Sequence, residues 1–182
     1  MSLATKAGYT PSEASLRIAL RRAKFVAIIK KKKDEQVYRQ KYPPDEDSLQ
    51  NNDFDNILRR LHPEIRKSSS ELFKNKHYLQ ATSEAFKKVN NMVKKKSGLH
   101  SEDGKSLMLN VFSPKKPILK LNQLISDSDK NEQEGFMHIF AGSIQGIRNP
   151  RAHDELKQNP WITIEYLCLA SLLAKTIDKS VK

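Results

Sequence analysis

The sequence predicts an all-α protein. We expect an antiparallel bundle of four main helices over residues 51–182, behind an N-terminal helical extension and linker over residues 1–50. Three observations lead there. Apolar residues recur at helical spacing through several long stretches. Capping signals bracket those stretches, with Thr10-Pro11 and Asn159-Pro160 at starts and Gly98 at an end. Only six glycines occur in 182 residues, too few for a turn-dense β-sandwich.

In the extension, Thr10 can cap, Pro11 suits the first helical position and Glu13 can complete a capping box. The helix is expected to run to about Gln40, where Pro43-Pro44 stop it. Arg17 to Lys41 holds ten basic and two acidic residues, so this helix suits either a phosphate backbone or a partner-docking arm. Residues 43–52, polar, acidic and Pro-containing, read as a linker.

Within 51–182, Phe54, Ile57, Leu58 and Leu61 fall at i, i+3, i+4 and i+7, the stripe of an amphipathic helix. Pro63 kinks or restarts it, and Ile65, Leu72 and Phe73 continue the apolar face. A polar corner at Lys74 to Lys76 precedes a long helix marked by Tyr78, Ala81, Ala85, Phe86, Val89, Met92 and Val93. It ends on Lys94 to Lys96 with Gly98 just beyond, as the helix dipole and a left-handed C-cap require. Leu107 to Phe112 predicts a short helix or strand, and Ser126 to Asn131 a polar loop. Glu132 to Ile147 returns to helical spacing. Asn159 then caps a last helix whose inner face is Leu167, Ala170, Leu173, Ala174 and Ile177.

Charge and composition bound the function. With 33 Lys+Arg against 21 Asp+Glu the net charge is +12. That suits a polyanionic partner such as RNA, DNA or an anionic surface, or simply a solvated lysine-rich face. The single cysteine, Cys168, forms no intrachain disulfide and reads as a small core residue in a reducing, cytoplasmic protein. No apolar run nears the roughly 18 residues of a membrane helix. The run Phe25 to Ile29 is too short for a secretory signal. His62, His77, His100 and His138 have no metal-ligand spacing, and no Gly-rich phosphate loop occurs, so neither metal nor cofactor is expected.

One constellation looks like chemistry: Arg148-Asn149-Pro150-Arg151-Ala152-His153. Pro150 disfavours helical dihedrals at Asn149, which predicts Asn149 as a cap and Pro150 as a first helical residue. Arg148 would then sit just outside a helix start, with His153 one turn inside and backbone N–H groups favouring an anion. His153 could move a proton to or from a ribose oxygen, Arg148 stabilise charge on phosphoryl oxygens, and Asn149 orient the phosphate. Arg151 could add a phosphate contact. The plain alternative is a capped interhelical corner with a surface Arg and His.

The segment resembles the Arg-x4-His motif of the HEPN superfamily, in which Asn, Asp or His often follows the Arg, as Asn149 does here. From Leu61-His62-Pro63 onward the chain is also similar to the Ymh-type family of small bacterial proteins. The matching stretches are Leu72-Phe73, His77-Tyr78 with Ala81, Ala85-Phe86-Lys87, Asp103-Gly104 with Leu107-Met108, Gly135, and Ile147 through His153. The resemblance implies a HEPN-like homodimer with a composite active site. It implies a metal-independent endoribonuclease leaving 2′,3′-cyclic phosphate ends, used as a toxin or as an antiviral or abortive-infection effector. An antitoxin or defence-complex partner would fit such a role. The alternative it implies is a non-catalytic RNA- or protein-binding module of a defence complex.

Overall fold

A computed structural model of the chain describes residues 51–149 and 158–182. The N-terminal extension, and with it the readings of Pro11 and of the basic stretch Arg17 to Lys41, lies outside those residues.

The described residues are all-helical. They form six α-helices rather than the four expected: α1 (Asn51–Arg60), α2 (Pro63–Lys74), α3 (Tyr78–Ser97), α4 (Gly104–Val111), α5 (Asp127–Ser143) and α6 (Pro160–Lys179). A π-helical turn, Ile144–Arg148, continues α5. Pro63 restarts the chain as expected, because His62 takes the cap position and Pro63 needs no N–H in the first turn. Among the described residues no strand forms, only an isolated antiparallel bridge between Lys120 and Val181.

Helix α3 is the element the others share, packing against α2, α4, α6 and the π turn. Its inner face carries Ala81, Ala85, Phe86, Val89 and Val93, all fully buried. The two alanines keep that face thin enough for neighbouring helices to approach, and Phe86 fills the space beyond. Burying a ring of that size stabilises by roughly 1.5–3 kcal/mol. Gly98 ends α3 at φ +86°, and its N–H bonds the Lys94 carbonyl, the left-handed cap expected there. Leu167, Ala170, Leu173, Ala174 and Ile177 of α6 close the core as expected.

The apolar run from Leu107 resolves as a helix, α4. Phe112 at its end stacks on Phe140 of α5, centroids 4.4 Å apart and rings 8° from parallel. The irregular chain between α4 and α5 is pinned by Gln133. Its Oε1 accepts from the Leu121 N–H at 2.9 Å, and its Nε2 donates to the carbonyls of Phe112 and Leu119 at 3.0 Å each. A buried amide with those bonds made replaces the ladder a strand would have provided.

Two expectations are corrected. Ser126 to Asn131 is not a loop, because α5 begins at Asp127. Ser126 Oγ accepts from the Asp129 N–H and Asp129 Oδ2 accepts from the Ser126 N–H, a complete capping box. Cys168 is not in the core, because α6 turns it outward to an exposed position.

Candidate functional site: the Arg148 corner

The end of α5 is where sequence and geometry meet. In the π turn the N–H of Asn149 bonds back to the carbonyl of Ile144, five residues earlier. A π turn holds one more residue than an α turn. Asn149 is not the extended cap expected: it has helical dihedrals, φ −62° and ψ −48°.

Arg148 is thus delivered to the start of α4. Its Nη1 lies 3.9 Å from Oδ1 of Asp103, and Lys94 Nζ lies 3.7 Å from the same oxygen. Both distances are charge pairs without a hydrogen bond. Asp103 stands at the cap position of α4 because Gly104, at φ +65°, takes a backbone turn that a side chain would resist. Asn90, buried on α3, accepts from the Gly104 N–H at 3.0 Å and so occupies an orphan donor of the helix start. Burial pushes the Asp103 carboxyl up. The Gly104 N–H, the Asn90 amide, Lys94 and Arg148 together outweigh it and hold the carboxyl below its ordinary value.

The corner therefore has a fixed anion flanked by two cations. Among the described residues the Arg148 guanidinium makes this charge pair without a hydrogen bond, and its side chain is 23% exposed. Asn149 is exposed beside it. Arg151 and His153 lie outside the described residues. Sequence reasoning missed Asp103, Asn90 and Lys94 as companions of Arg148. The available signal was Asp103-Gly104, whose glycine marks a turn but says nothing about which helix faces it.

His62, which spacing alone leaves without a role, is a buried joint and not a free base. Its N–H donates to Ser171 Oγ at 2.7 Å, Nδ1 accepts from the Glu64 N–H at 3.2 Å, and Nε2 meets Asp178 Oδ2 at 2.8 Å. Nδ1 as acceptor assigns the proton to Nε2, so both ring nitrogens are occupied. On α6, burial pushes the Cys168 thiol up, Lys175 lowers it and Glu165 raises it, leaving it above its ordinary value and a poor nucleophile. Among the described residues no group of three His, Cys, Asp or Glu could hold a metal ion, and no helix is long and apolar enough to cross a membrane.

No curated protein and no solved structure matches the chain. A family model described as "Protein of unknown function (Hypoth_ymh)" matches residues 59–177, from the end of α1 to the last turn of α6. The match spans the core helices, the Asp103-Gly104 turn and the Arg148 corner, and the chain belongs to the Ymh family.

Proposed function

We propose that the chain is a metal-independent endoribonuclease of the HEPN type, with Arg148 and His153 as its catalytic pair. The observation that carries the reading is the Arg148 corner. A guanidinium is delivered by a π turn and steered by Asp103 across 3.9 Å, five residues before His153 in the chain. Arg148 would stabilise charge growing on the phosphoryl oxygens. His153 would take the 2′-hydroxyl proton or return one to the leaving 5′-oxygen, giving 2′,3′-cyclic phosphate ends. Asn149 orients the phosphate and Arg151 adds a contact to it. The six helices reduce in this reading to a HEPN-like four-helix bundle, with α1 and α4 as additions. A role as a toxin or antiviral effector, held in check by an antitoxin or a defence-complex partner, follows from such an activity.

A homodimer completes the site, since one Arg and one His are few groups for the reaction. The outward face of α5 and of the π turn that continues it supports this. Gly135, Gly142 and Gly146 are exposed, a side chain at any of them would meet nothing within 4 Å among the described residues, and Ile139 beside them is 45% exposed. Helix-interior glycines cost stability of about 1 kcal/mol each, and nothing inside the described fold calls for them. A second copy laid along that face would set two Arg148–His153 pairs near one axis.

The second reading is a non-catalytic RNA-binding module. The net charge of +12 suits it, because contact with a phosphate backbone needs no catalytic pair. RNA cleavage in a chelator, with Arg148→Ala and His153→Ala beside the wild type, decides between the two.

A further inference from the structure

The charge of the described residues is not spread evenly. Residues 51–97, which hold α1, α2 and α3, carry eleven Lys/Arg and five Asp/Glu. The remaining described residues carry nine and eight. Nearly all the basic excess therefore lies on three consecutive helices.

Those helices bound three adjoining grooves. The first, about 310 Å³, runs between α1 and α2 past Arg59, Arg66 and Lys67. The second, about 310 Å³, runs between α2 and α3 and shares Lys67. The third, about 610 Å³, opens between α3 and the end of α6 past Lys95, and shares Lys88 and Asn91 with the second. Shared walls make them one belt.

Lys96 donates to the carbonyls of Ile177 and Asp178 and Lys74 pairs with Asp55, but other cations along the belt are available. Lys67 and Lys95 are exposed. Lys88 and Lys87 pair with Glu64 at 2.6 Å and Glu84 at 3.2 Å, both surface contacts of the kind worth under about 1 kcal/mol, which a phosphate can displace. On the floor of the first groove, Ser70 Oγ is cut off from water and has no hydrogen-bond partner among the described residues. Ser68 and Ser69 beside it both donate to the Ile65 carbonyl, at 3.0 and 2.7 Å. The last turn of α3 ties the belt to the Arg148 corner, since Lys94 faces Asp103 while Lys95 and Lys96 face the third groove.

We infer that this belt across α1, α2 and α3 is a track for the phosphodiester backbone of single-stranded RNA, leading to Arg148. The choice of RNA rests on the ribonuclease reading; the track itself rests on the segregated charge and the joined grooves. Its contacts are ionic, so the salt dependence of binding reports them.

The test uses the full chain and a labelled 2′-O-methyl RNA, which lacks the 2′-hydroxyl that cleavage needs. Binding is measured by anisotropy across a salt series. Lys67→Gln with Lys95→Gln is expected to reduce the slope of log K against log salt by roughly 1.4, at about 0.7 per lost contact on a single strand. Lys115→Gln with Lys116→Gln, two exposed lysines off the belt, keeps the wild-type slope, and matched thermal melts keep folding out of the comparison. Equal slopes for the two double variants, or no binding by the wild type, overturn the track. Single-stranded DNA of the same sequence that binds as tightly overturns the assignment to RNA. Binding only to anionic vesicles overturns both and assigns the belt to a membrane surface. Loss of cleavage in His153→Ala is independent of this slope, so the ribonuclease reading and the track fail separately.

Discussion

Arg148, at the end of the π turn, lies 3.9 Å from Asp103, which stands at the cap position of α4 next to Gly104, whose N–H bonds the buried Asn90. The pair joins two segments that no sequence pattern brings together. The contact is a charge pair too long for a hydrogen bond.

Asp103 should titrate below an ordinary aspartate. Its carboxyl is held under the usual value of 3.8, so its contribution to stability is complete above that value and is lost as pH falls through the lowered one. A carboxyl carbon NMR titration checks the direction; an Asp103 midpoint at or above 3.8 contradicts the corner as described. Because the side chain is 55% exposed, Asp103→Asn should cost less than about 1 kcal/mol. It should nevertheless loosen Arg148 and change RNA cleavage more than stability.

Gly104→Ala attacks the same corner through the backbone. At φ +65° an L side chain costs roughly 1–2 kcal/mol, although the space around the site is open. Urea unfolding should register that loss, while Gly135→Ala, at an ordinary helical position, should be neutral or stabilising. Equal effects would mean that the turn before α4 is not strained as described.

His62 makes a third case. His62→Ala removes a cap at the start of α2 and the link to Asp178, and should destabilise by about 1–3 kcal/mol in urea. His62→Asn restores the cap acceptor and should recover part of that. Neither variant should alter cleavage once folded protein is compared, since both ring nitrogens are already occupied.

The exposed face of α5 predicts oligomeric state. Gly142→Leu places a side chain where nothing in the described fold opposes it, so the helix content should persist. Light scattering should then show a wild-type dimer become a monomer. A wild-type monomer, or a dimer indifferent to Gly142→Leu, removes this face as the interface.

Local signals are the legible part of the sequence. The α3 helix reads end to end because its apolar spacing, its closing lysines and Gly98 all agree. Asn159 and Pro160 open α6 for the same reason, with Asn159 Oδ1 accepting from the Ile162 N–H at 2.9 Å. The start of α5 reads wrongly as a loop because its first turn is wholly polar, although Ser126 and Asp129 form a capping box visible at their spacing. Cys168 reads wrongly as core because α6 is apolar enough on several sides to hide which one faces out. Pro150 predicts that Asn149 leaves helical dihedrals, but Asn149 follows a π turn with helical ones. The Asp103–Arg148 contact is long-range, and no periodicity reports such a pairing. His153, the proposed acid–base group, lies outside the described residues.

The central claim is tested most directly by cleavage of a mixed RNA substrate in EDTA, wild type beside His153→Ala and Arg148→Ala, with product ends weighed by mass spectrometry. The account predicts 2′,3′-cyclic phosphate ends from the wild type alone. Cleavage by His153→Ala at the wild-type rate, or products lacking the cyclic phosphate, would contradict it.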